Sequence, residues 1–61
     1  MKKGEASKAK LVEAAGELFW KQGYAATGIR DILDATGLPK GSFYFYFKSK
    51  SDVAREVIGY Y

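Results

Sequence analysis

The chain has 61 residues, 48% of them hydrophobic and 28% charged, with one proline and neither cysteine nor histidine. That length fits one small domain or a piece of a larger one, and it excludes a large catalytic core. Ordering a chain at about 1.5 kcal/mol per residue nearly cancels what so little buried apolar area returns, so the fold calls for support. Without Cys or His, that support is neither a disulfide nor a Cys/His metal site, which leaves further chain or a partner; no cofactor is expected.

The aromatic-rich stretch 41–47 and the stretch 57–61 carry no charge but fall far short of the roughly 18 residues of a membrane span. No apolar segment of a signal peptide follows Met1. The expected setting is soluble and cytoplasmic. Net charge is +3. Residues 1–10 and 38–50 each carry +3, residues 11–37 carry −2 and residues 51–61 carry −1. Two basic zones, one interleaved with aromatics, suit a phosphate-facing surface and equally a solvated one.

Residues 1–8 are expected as a basic flexible tail and 9–61 as the folded domain. From Ala9 to Gln22, Leu11, Ala14, Ala15, Leu18 and Phe19 recur at helical spacing, opposite Lys10, Glu13, Glu17 and Lys21. Gly23 supplies a left-handed stop, with Tyr24 packing back on Phe19 as in a Schellman motif. A second helix of about two turns follows, with Ile29, Ile32 and Leu33 on one face, Thr27 or Gly28 at the N-cap and Asp31 near the positive end. Gly37 ends it, and Pro39 fits the first position of a third helix. Two short helices joined by a few residues containing glycine have the spacing of a helix-turn-helix.

Alternating aromatics over 43–47 also suit a strand, but Pro39 and the short turn favour a helix with Phe43 and Phe47 on one buried face. Ser49-Lys50-Ser51-Asp52 has capping-box spacing ahead of a fourth helix from Lys50 to the last residue, with Val53, Val57, Ile58 and Tyr61 as an apolar stripe. No C-cap glycine or proline closes that helix, as if it continued. The expected class is all-α, a three-helix bundle containing a helix-turn-helix plus the start of a fourth helix. The expected core is Leu11, Ala15, Leu18, Phe19, Tyr24, Ile29, Ile32, Leu38, Phe43, Phe47 and Val53, while Trp20 suits either the core edge or a contact with chain beyond Tyr61.

Catalytic constellations do not emerge. In Gly37-Leu38-Pro39-Lys40-Gly41-Ser42 the lysine precedes the glycine and no strand leads in, so this is not a phosphate-binding loop. Asp31 and Asp34 lie one turn apart on a short surface helix, where solvation is the ordinary state of such a pair. No enzymatic role is expected.

The ordered set Leu11-Val12, Ala14-Ala15, Leu18-Phe19, Gly23-Tyr24, Thr27, Ile29-Arg30-Asp31-Ile32, Gly37-Leu38, Lys40-Gly41-Ser42, Tyr44, Tyr46-Phe47 and Lys48-Ser49-Lys50 resembles the N-terminal DNA-binding domain of the TetR family of bacterial transcription regulators. The resemblance spans roughly residues 8–58. It departs from the family pattern at Gly28, where Ser or Thr is usual, and at Leu33, Pro39, Phe43 and Ser51, where Ala, Ser, Leu and Glu are usual.

The resemblance implies that the third helix enters the major groove of duplex DNA. Lys40 can donate to guanine O6 and N7, Gly41 permits close backbone approach, Ser42 can bond a base edge or a phosphate, and Phe45 can meet a thymine methyl. For Lys40 a phosphate contact is an equal alternative. Tyr44 and Tyr46 carry hydroxyls suited to phosphates, with core packing the alternative for Tyr46. Lys50 unites an ammonium with the positive end of the fourth helix, and Thr27, Arg30 and Lys48 complete the phosphate candidates. The family continues into a helical domain that binds a small-molecule inducer and forms the homodimer, so the implied whole is a repressor released from its operator by a ligand. The competing function is a small helical protein-interaction module docking through the 53–61 stripe.

Overall fold

The computed structural model describes residues 3–60, and side chains over 7–59. It contains α1 (Lys3–Gln22), α2 (Ile29–Thr36), α3 (Lys40–Tyr46) and α4 (Lys50–Tyr60), with no strand among the described residues. The class is all-α, as expected. Helix α1 is the hub against which α2, α3 and α4 pack.

Helix α1 starts six residues before Ala9, so residues 3–8 are helical rather than a flexible tail. Lys, Glu and Ala are strong helix formers, and once α1 is nucleated on the core each added residue gains a backbone bond. Met1 and Lys2 lie outside the described residues. Near its start Lys8 faces Glu56 of α4 at 3.8 Å, an exposed pair of small energetic weight.

Two left-handed glycines shape the connections. Gly23 (φ 94°) donates its N–H to Phe19 O at 2.9 Å, and Gly37 (φ 73°) donates to Leu33 O at 2.8 Å. After Gly37 the Leu38 N–H turns to Thr36 Oγ1 at 3.2 Å instead of an upstream carbonyl, so α2 ends in the simple left-handed form and not a Schellman motif. The expected contact of Tyr24 with Phe19 is present, their ring centroids 5.1 Å apart.

Gly28 is the N-cap of α2. Having no side chain, it makes half of a capping box: its N–H donates to Asp31 Oδ2 at 2.9 Å. Pro39 occupies the N-cap of α3 rather than its first helical position, because its backbone is extended (φ −72°, ψ 157°) and its carbonyl accepts from the Ser42 N–H at 3.0 Å. The aromatic run is helical to Tyr46 and leaves the helix at Phe47, whose extended backbone still closes a bond to Phe43 O at 2.8 Å.

Asp52 does not complete the box expected with Ser49. Its carboxylate reaches one residue farther, to the Lys48 N–H at 2.9 Å, while the Ser49 and Ser51 hydroxyls lie 2.9 Å apart. An acid at N3 can satisfy whichever donor precedes the helix, and here the extended Phe47 delivers that of Lys48.

Leu11, Val12, Ala15, Ile32, Phe43, Phe47 and Val53 form the buried core, with Leu18, Phe19, Ile29, Leu38, Tyr46 and Val57 half-buried against it. The Phe43 and Phe47 rings meet at a tilt of 49° with centroids 5.5 Å apart, which fixes the floor under α3. Val12 joins a core from which the helical periodicity omits it. Around the α1–α2 connection two aromatics face outward: Tyr24 is exposed despite its contact with Phe19, and Trp20 is 92% exposed. Val53 is inside the core, so the expected docking stripe loses its first member. Of the rest, Val57 packs on the core, Ile58 is exposed, and Tyr61 lies outside the described residues.

Candidate nucleic-acid interface

Burying Phe43 and Phe47 turns the other side of α3 to solvent. Lys40 and Tyr44, and likewise Gly41 and Phe45, are four residues apart and so pair on neighbouring strips of that side. Lys40, Gly41, Tyr44 and Phe45 are exposed, Ser42 is half-buried, and the Phe45 ring stands 79% exposed, edge-on to Tyr46 at 4.9 Å. Tyr44 rests its ring edge-on against Phe43 at 5.3 Å, which supports the side chain from below. No acid occurs from residue 38 to residue 50. The four base-reading candidates thus come together on one short helix, and two of the phosphate candidates, Tyr44 and Tyr46, share it. Tyr46 is half-buried against the core, its alternative role.

Arg30 and Lys48 are exposed. Thr27 is not: it is 1% exposed, its hydroxyl donates to Gly23 O at 2.8 Å and accepts from Gln22 Nε2 at 3.3 Å. A hydroxyl buried and bonded in this way has no route to a phosphate, so Thr27 belongs to the loop's own structure.

Lys50 has a second surprise. Its ammonium donates to Tyr24 O and to Thr27 O, both at 2.8 Å, and sits 4.2 Å from the centroid of the Tyr24 ring. Two of three ammonium hydrogens therefore hold the α1–α2 loop against the start of α4, and the phosphate role retains only the third and the charge itself. Sequence reasoning missed this clamp because backbone carbonyls carry no residue signature. Gly23-Tyr24, marking where α1 stops, was the nearest signal.

Among the described residues, no three His, Cys, Asp or Glu side chains gather to hold a metal, and no helix is long and apolar enough to cross a membrane. The family model described as "Bacterial regulatory proteins, tetR family" matches residues 7–57, which takes in α2 and α3 whole and most of α1 and α4. The chain belongs to the TetR family.

TetR-family proteins are DNA-binding regulators and not enzymes, and the α2–α3 unit is the helix-turn-helix of this one. The chain is 46% identical over 52 residues to the HTH-type transcriptional regulator in the lacX 3′ region of Lactococcus lactis subsp. lactis, covering 85% of this chain and 26% of that protein. It is 42% identical over 55 residues to the HTH-type transcriptional regulator YxaF of Bacillus subtilis, covering 88% and 29%. The HTH-type transcriptional repressor KstR2 of Mycolicibacterium smegmatis is 42% identical over 48 residues, covering 79% and 23%. The chain thus spans about a quarter of the length of these relatives. No solved structure matches it.

Proposed function

We propose that this TetR-family domain binds operator DNA in a sequence-specific way, with α3 in the major groove, as the reading head of a ligand-released repressor. The acid-free outer side of α3 carries this proposal. Lys40, Gly41, Ser42 and Phe45 face base edges, with Lys40 the principal hydrogen-bond donor. Tyr44, Tyr46, Lys48 and Arg30 meet phosphates, and Lys50 adds its charge from the start of α4. Repression is supported by the repressors among the similar proteins. Homodimerisation and inducer binding belong, in this proposal, to chain of the kind that makes those relatives about four times longer.

Phosphate neutralisation releases condensed counterions, so affinity for duplex DNA falls with salt. Titration at several salt concentrations should give a negative slope of log K against log salt, and Lys48→Ala should reduce it by about 1. Salt-independent binding would eliminate the phosphate contacts. A protein-docking module predicts no base-sequence preference, whereas the reading head predicts one.

A further inference from the structure

Trp20, the chain's one tryptophan, stands exposed on α1, and beside it α1 and α4 border a mostly apolar groove of about 550 Å³ lined by Gly16, Glu17, Phe19, Trp20 and Val57. Gly16 lies one helical turn before Trp20 and so on the same side of α1, which sets a position without a side chain next to a large protruding ring. Ile58, next to Val57 in α4, is exposed as well. An exposed tryptophan beside an apolar groove has the make-up of an interface centre. Glu17 and Lys21 flank the ring on the same helix, both exposed, and among the described residues neither makes an ion pair.

This face is complementary to itself. When two α1 helices pack antiparallel about a two-fold axis at the level of Leu18 and Phe19, each Trp20 falls opposite the other copy's Gly16. Each Glu17 then falls opposite the other copy's Lys21, so two opposite-charge pairs form beside the rings, the mutual contact that a two-fold interface requires. We propose that the Trp20 face binds a second copy of this chain through such an antiparallel α1–α1 contact, each tryptophan entering the other's groove. The described groove residues belong to α1 and α4, so the pairing leaves the outer side of α3 free, and it is separate from the homodimerisation assigned above to further chain. A contact centred on one ring and two charge pairs stands at the small, transient end of interfaces, with a dissociation constant on the order of 0.1 mM.

Sedimentation equilibrium of this chain from about 0.01 to 1 mM, with front-face fluorescence of Trp20 in the same samples, tests the contact. Apparent mass should rise toward that of a dimer while the emission shifts to the blue. Trp20→Ala should stay monomeric with an unchanged circular dichroism spectrum. Glu17→Lys should weaken association about tenfold, since two attractive pairs become repulsive. Adding Lys21→Glu to it should restore association, whereas adding Lys48→Glu, which returns the same net charge away from this face, should not. A monomer at every concentration, undiminished association in Trp20→Ala, or equal rescue by Lys48→Glu overturns the proposal. If a chain of the relatives' length shields Trp20 equally with and without Glu17→Lys, the face belongs to the following chain and the proposal falls.

Discussion

Lys50 Nζ lies 2.8 Å from Thr27 O, across 23 residues of chain, and the same ammonium reaches Tyr24 O at the same distance. The loop, in which Tyr24 O also accepts from the Thr27 N–H at 3.2 Å, is thereby tied to the first turn of α4. Thr27 locks the loop from within through Gly23 O. Since Ile29 opens α2 immediately afterwards, the clamp also fixes where the helix-turn-helix begins.

Replacing Lys50 by Met keeps the stem and removes the donor. The two carbonyls lose charge-assisted bonds, and the chain should lose about 1 to 3 kcal/mol, read as a lower urea midpoint. Lys48→Met, two residues away with an exposed side chain, should leave the midpoint unchanged. Equal midpoints for both variants would show that the clamp contributes nothing.

Phe43 is fully buried and supports Phe47 and Tyr44. Phe43→Ala should cost about 3 to 5 kcal/mol, which matches the whole stability expected of a core this small. Far-ultraviolet circular dichroism should show a largely unfolded chain at room temperature. Retention of a cooperative transition near the wild-type midpoint would mean that the core does not depend on this ring.

Gly28→Ser should stabilise the domain. A Cβ there meets Asp31 Oδ2 at 3.8 Å, ordinary contact, and φ −104° suits any residue. The new hydroxyl can accept from the Asp31 N–H and complete the capping box, for a gain of a few tenths of a kcal/mol, about 1 to 3 °C in thermal midpoint. A lower midpoint would show that Gly28 is required for the loop geometry.

Local chemistry explains what was legible in the sequence. Gly37 and Pro39 fixed the turn between α2 and α3 within one residue, because positive φ and a missing N–H constrain backbone directly. Helical periodicity likewise found Leu11, Ile32, Phe43, Phe47 and Val53. Contacts between distant segments were not legible. The clamp joins Lys50 to carbonyls on another element, which any residue type can provide, so a lysine read only as a phosphate ligand also ties the loop to α4. Thr27 was misplaced for the same reason: the depth of a hydroxyl follows from how helices pack, not from its neighbours in sequence. The start of α1 was placed too late because the apolar period begins at the core, whereas the helix extends past it. The exposed side of α3 was legible as a group, since Phe43 and Phe47 at four-residue spacing determine which side remains exposed.

The most direct test of the proposed reading head is enrichment from random duplex DNA with wild type and Lys40→Ala in parallel. Wild type should enrich a defined sequence, and Lys40→Ala should enrich the same sequence with one position per binding unit relaxed, at a cost of about 1 to 3 kcal/mol at that base. Enrichment of no sequence by wild type would contradict base reading by α3, and a loss in Lys40→Ala uniform over all sequences would return Lys40 to the phosphate backbone.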